Sequence, residues 1–139
     1  MKAVSYFIAN GAISGWLQDD RTFDRSWFAE DMDFLTVADN TPIDRDQQYV
    51  AGSPPTVTAR PTPACTLDKT TITANGTDTA TLSSIPIGAS VTVTDGNGTT
   101  TYTATDSTLE ITADDPGAIT VTVTPAFPYI PLTVTVTAT

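Results

Sequence analysis

Histidine is absent from the 139 residues, cysteine occurs once, and lysine and arginine together occur six times. Each shortage closes off a class of function. Without histidine there is no Ser–His or Cys–His pair, so a hydrolase-type site lacks its usual base. No catalytic residue is assigned, and an enzyme is not expected. A lone Cys65 excludes an internal disulfide framework. With no histidine to activate it, its thiol reads as a small buried hydrophobe before an intermolecular or reactive group. Six bases against 16 acids leave a net charge of −10. Residues 1–64 hold 9 acids and 5 bases, and residues 65–139 hold 7 acids and 1 base. Nucleic acid is therefore not an expected partner, because neutralising phosphates needs a basic patch. An anionic membrane surface is disfavoured for the same reason. No apolar run approaches the length of a membrane span. The stretch Met1–Ile8 is too short for the apolar part of a signal peptide, so synthesis in the cytoplasm without one is expected.

What the chain does have is alternation. From Thr66 to Thr139, valine, isoleucine or leucine takes turns with threonine in one short run after another. Period-2 patterning describes strands with one face in a core and one in water, and β-branched residues suit both faces. Six to eight strands are expected, placed at Thr66–Ala74 (with a split near Lys69 open), Thr77–Ser83, Ala89–Thr94, Thr99–Thr105, Thr108–Ala113, Ala118–Thr124 and Leu132–Ala138. Turn residues lie between them at Asn75-Gly76, Pro86 with Gly88, Asp95–Gly98, Asp106-Ser107 and Asp114–Gly117. Strands at this spacing argue for a sandwich. The inward set is Leu67, Ile72, Ala74, Ala80, Leu82, Ala89, Val91, Val93, Tyr102, Leu109, Ile111, Ile119, Val121, Val123, Leu132, Val134 and Val136. The fold class is all-β: a sandwich over 65–139, preceded by a smaller, partly β region over 1–64. Edge pairing with another copy is open to the last strand, which only its threonines guard.

In the N-terminal region, Val4–Ile8 and Ile13–Gln18 read as a hairpin turned at Asn10-Gly11. A lone hairpin is marginal in water and must pack on something. Residues 19–35 are Asp-rich and aromatic. A short helix from near Asp24 to Asp31 and irregular coil with short strands both fit them. Residues 36–64 hold a strand around Asp46–Val50 and an extended or edge segment at Thr56–Arg60. The prolines at 54, 55, 61 and 63 make this stretch a stiff connector.

The candidate sites divide by chemistry. The carboxylate pairs Asp19-Asp20 and Asp114-Asp115 read as turn residues rather than acid–base pairs. Asp95, Asn97 and Thr99 alternate as oxygen donors. Against a calcium loop, Thr100 stands where glycine is required and Asp106 where a bidentate Glu is required. A hairpin loop explains the run, so no metal and no cofactor is assigned. The aromatics Tyr6, Phe7, Trp16, Phe23, Trp27, Phe28 and Phe34 are the leading interface candidates. They are interleaved with charge in a region too short to bury them all; the competing reading is a small core. A second binding surface is expected at the loops of Asn97 and of Phe127, Tyr129 and Ile130. The latter loop is stiffened by Pro125, Pro128 and Pro131, and preorganised loops lose less entropy on binding. Phe127 or Tyr129 plugging the end of the sandwich is the alternative.

The run Leu67–Leu82, with Asp68-Lys69, Ile72, Ala74, Gly76, Asp78 and Ala80 in order, resembles the opening of bacterial immunoglobulin-like domains. Ile111–Val121, with its Pro116-Gly117 turn feeding an alternating strand, is similar to their penultimate strand. Phe127-Pro128-Tyr129 with Thr133–Ala138 resembles the closing pair carried by phage tail proteins. Upstream, Tyr6–Gly15, Asp46–Gly52 and Arg60-Pro61 resemble small proteins of tailed-phage structural gene clusters. The resemblance implies a virion component, made in the host cytoplasm and held in multiple copies by other virion proteins through the N-terminal region. It implies a tail or fibre-attachment subunit. A capsid decoration protein and a carbohydrate- or cell-surface-binding module are the alternatives. Some such domains carry a Lys–Asn isopeptide bond. Lys69 raises that possibility here, and the placement of Asn75 and Asn97 in Asn-Gly turns argues against it.

Overall fold

A computed structural model describes residues 1–18 and 23–139. Strand accounts for 49% and helix for 2%, so the chain is all-β. It divides into two compact units, Met1–Pro61 and Thr62–Thr139.

In the first unit, β1 (Lys2–Phe7) lies between β2 (Ile13–Gln18) and β3 (Met32–Val37), antiparallel to both. The β1–β2 hairpin turns through Asn10-Gly11, where the Asn10 side chain accepts from the Ala12 N–H at 2.9 Å. Gly11 takes φ 75°. A Cβ there would run into the Val50 carbonyl oxygen. Only glycine satisfies both constraints. Residues 24–31 do not form the longer helix: one 3-10 turn, Arg25–Trp27, starts with the Asp24 carboxylate accepting from Ser26 N. Arg25 then donates to the carbonyls of Phe28, Ala29 and Glu30, which holds this loop in a non-helical path.

The strands expected around Asp46–Val50 and at Thr56–Arg60 both form, and the stretch is more than a stiff connector because Val50 is buried. β4 (Gln48–Ala51) and β5 (Thr56–Ala59) pair as a second hairpin. Val4, Ile13 and Val50 form the buried centre of the unit, with Tyr6, Leu35, Val37, Ile43 and Val57 around it.

The second unit has a five-stranded sheet in the order β10-β9-β12-β13-β7 and a three-stranded sheet in the order β11-β8-β6. The strands are β6 (Thr66–Leu67), β7 (Thr71–Ile72), β8 (Ala80–Ser83), β9 (Ser90–Asp95), β10 (Gly98–Thr103), β11 (Thr108–Ile111), β12 (Gly117–Thr124) and β13 (Leu132–Ala138). One core draws on both sheets: Ile72, Leu82, Val91, Ile111, Val121, Val123 and Val136 are buried together. The strand expected at Thr77 starts only at Ala80. Upstream, the Asn75 side-chain oxygen accepts from Thr77 N, Thr77 Oγ1 and Asp78 N and holds a turn.

Three details of the core differ from the alternation. Tyr102 is exposed, because β10 is the outermost of five strands and the facing sheet has three. Leu132 is only half-buried, at the start of its strand. Ile85, Ala104 and Ala138 are buried although none belongs to the expected inward set. The last strand is an edge over part of its length: β12 runs along one side of β13, and on the other parallel β7 pairs only with Thr137 and Ala138.

Candidate docking surface

The first unit's sheet sets the positions of its aromatic residues. Directly paired residues share a face, so Val4 lies with Trp16 and Leu35, and Ser5 with Gly15 and Phe34. The face carrying Val4 contributes to the buried centre. On the face carrying Ser5, Phe34 meets the aromatic residues of the Arg25 loop. Phe28 stacks on Phe34 with centroids 4.9 Å apart, and Phe23 lies 6.2 Å from Phe34 and 6.1 Å from Trp27, edge-on to the latter.

Four of the seven aromatic candidates, Phe23, Trp27, Phe28 and Phe34, are thus brought together. Phe23 is 7% exposed and its ring is spent inside the cluster. Trp27 remains 45% exposed at the cluster's rim. Tyr6 is half-buried beside the core, and burial, then the nearby Asp33 carboxylate, raise its hydroxyl pKa. Trp16 is 51% exposed, and Phe7 is exposed as well. The Lys2 ammonium lies 6.0 Å from the Trp16 ring centroid and donates to the Thr41 carbonyl at 2.8 Å. Met1, Ile8 and Leu17 are also exposed on this unit and were not among the candidates. Leu17 was legible: it follows Trp16 in a strand, so the two must occupy opposite faces.

The second unit places Asn97 at the tip of the β9–β10 hairpin, where Asp95 accepts from Asn97 N and Gly98 N. An open pocket of about 620 Å³ lies between residues 94–97 and 112–120, with Asp95, Asn97, Asp114 and Asp115 in its wall. Among the described residues, no group of three His, Cys, Asp or Glu side chains is arranged to hold a metal. The Asp19-Asp20 pair lies outside the described residues. Phe127 and Tyr129 are exposed on the loop before β13, in which Tyr129 N donates to Ala126 O at 3.3 Å.

Lys69 meets Asp78 rather than an asparagine. The Lys69 ammonium, then the Thr73 N–H, hold the Asp78 carboxyl below its ordinary range, so this is an ion pair between charged groups. Cys65 is half-buried against the core, its Sγ 3.4 Å from the Ser84 carbonyl. Burial raises its thiol pKa and keeps it protonated near neutrality.

No protein-family model, no curated protein and no solved structure matches the chain.

Proposed function

We propose that the protein is a non-enzymatic structural subunit of a phage particle, in the tail or fibre-attachment region. In this reading the first unit fastens it to other virion proteins and the second unit is an immunoglobulin-like sandwich projecting from them. The observation that carries it is the exposure of Phe7, Trp16, Leu17 and Trp27 on a unit of 61 residues. Large apolar and aromatic side chains with much of their surface exposed are what a protein interface uses as anchors. The strand order of the second unit supports the sandwich assignment, with two sheets around one core and the opening segment split between them as β6 and β7.

Exposed Phe127 and Tyr129 favour a second reading, a carbohydrate- or cell-surface-binding module working through that loop. Detection of the chain in particles purified from cells carrying its gene tests the first reading. Immunogold labelling of those particles separates a tail position from a capsid decoration. A chain absent from particles that binds cell-surface glycan through Tyr129 would replace the first reading with the second.

A further inference from the structure

The outermost strand of the second unit's larger sheet is left unguarded along its whole length. β10 is the outermost strand of the five-stranded sheet, and all six of its residues, Gly98–Thr103, are exposed. Proteins usually blunt such edges with charge, proline, a bulge or a very short strand. Among the other edges, β13 is open only over the part that β7 leaves uncovered, which begins directly after Pro131, and the rest follow that rule. β11 carries Glu110, and β6 and β7 are two residues long. β10 reads Gly-Thr-Thr-Thr-Tyr-Thr, with no charge and no proline, in a chain of net charge −10.

The direction of its free backbone groups follows from the residue after it. Ala104 N donates to Ala89 O at 2.8 Å and Ala104 O accepts from Gly88 N at 2.8 Å, so both point toward the β9 side. Backbone direction alternates along an antiparallel strand. Tyr102, Thr100 and Gly98 therefore bond to β9, while Thr99, Thr101 and Thr103 turn their N–H and C=O groups outward. On the water-facing side, the Thr99 and Thr101 hydroxyls pair with those of Thr94 and Thr92, each at 3.0 Å. On the core-facing side, Tyr102 is 39% exposed beyond the end of the smaller sheet. Ile87, beside Gly88 and hence near the end of β10, is 75% exposed.

We propose that this edge is a homodimer interface in which β10 pairs antiparallel with β10 of a second copy. The pairing places Thr101 against the second copy's Thr101 and Thr99 against the second copy's Thr103. Each of these pairs consists of outward-turned residues, and each can exchange two backbone hydrogen bonds. This register uses all three outward residues; a shift by two along the partner strand uses only two of them. The same register sets Thr100 against the second copy's Tyr102, an aromatic–β-branched pair on the side where that ring lacks cover. The edge is complementary to itself, and two acidic molecules meet along it without a carboxylate in either strand. Carboxylates do come close at its ends, where Asp106 approaches the second copy's Asp95 loop. Salt, by screening them, strengthens the association.

Sedimentation equilibrium of the full chain over a range of concentrations, at low and high salt, tests the proposal. A monomer–dimer equilibrium that shifts toward dimer with salt is expected. Thr101→Lys, which puts a charge on the two-fold axis, should abolish it while leaving the circular dichroism spectrum unchanged. In a Cys65→Ser background, Thr101→Cys should cross-link into a dimer with oxidised glutathione, and Thr100→Cys should not. Hydrogen-bonded antiparallel partners sit about 5.5 Å apart at Cα, within the roughly 4.4–6.8 Å that a disulfide spans. A full chain that stays monomeric throughout would overturn the proposal. So would a dimer that survives Thr101→Lys, or one lost instead by Leu17→Lys on the first unit.

Discussion

Leu82 is fully buried, in contact with a core built from both sheets of the second unit. Removing its side chain leaves a cavity that rigid sheets cannot collapse. Leu82→Ala should therefore cost about 2–5 kcal/mol in urea unfolding. Asp78 makes a different kind of contribution. Its folded pKa is depressed by Lys69 and Thr73, so the pair's contribution is complete above the ordinary carboxylate pKa. It is lost as pH falls through the lower folded value. Between pH 5 and 2 the wild type should lose stability more steeply than Asp78→Asn, as thermal melts across that range would show. The period-2 alternation made Leu82 legible as a core residue. It failed at Tyr102, for which the alternation is correct and the face is correct. What it lacks is a strand opposite, because the two sheets differ in width. A one-dimensional pattern gives a side chain's face and cannot give the extent of the layer facing it.

Among the elements, those set by local chemistry were legible and those set by side-chain traffic were not. The Asn10-Gly11 turn and the strand Leu132–Ala138 stand where their residues place them. The helix weighed for residues 24–31 does not form, because Arg25 satisfies three successive carbonyls from a coil. The pairing of β4 with β5 was hidden by prolines that flank the strands without entering them. Gly11 joins the two hairpins of the first unit, since its carbonyl accepts from Val50 N at 2.8 Å. Gly11→Ala should lower the unfolding free energy by the cost of a positive φ, about 1–2 kcal/mol, plus that of displacing the Val50 carbonyl, and with it the melting temperature. The loss should appear in the near-ultraviolet signal of the first unit's tryptophans. A thermal melt identical to wild type would contradict this account of the turn.

Across the whole molecule, the two units differ in what they leave in water. The second buries its valines and isoleucines and covers much of its surface with threonine. The first is the smaller unit, and its aromatic cluster leaves Trp27 at the rim while Phe7, Trp16 and Leu17 stay outside the core. That contrast was partly legible, since seven aromatics in a short acidic region exceed what it can bury. Which of them would be spent internally was not, because the stacking of Phe28 on Phe34 depends on how the Arg25 loop returns across the sheet. The most direct test of the docking role is the copy number of Trp16→Asp/Leu17→Asp chains in purified particles, set against wild type. Both side chains lie outside the core, so the variant should fold. The docking account predicts that it is lost from particles and recovered as free protein. Incorporation at the wild-type level would contradict it.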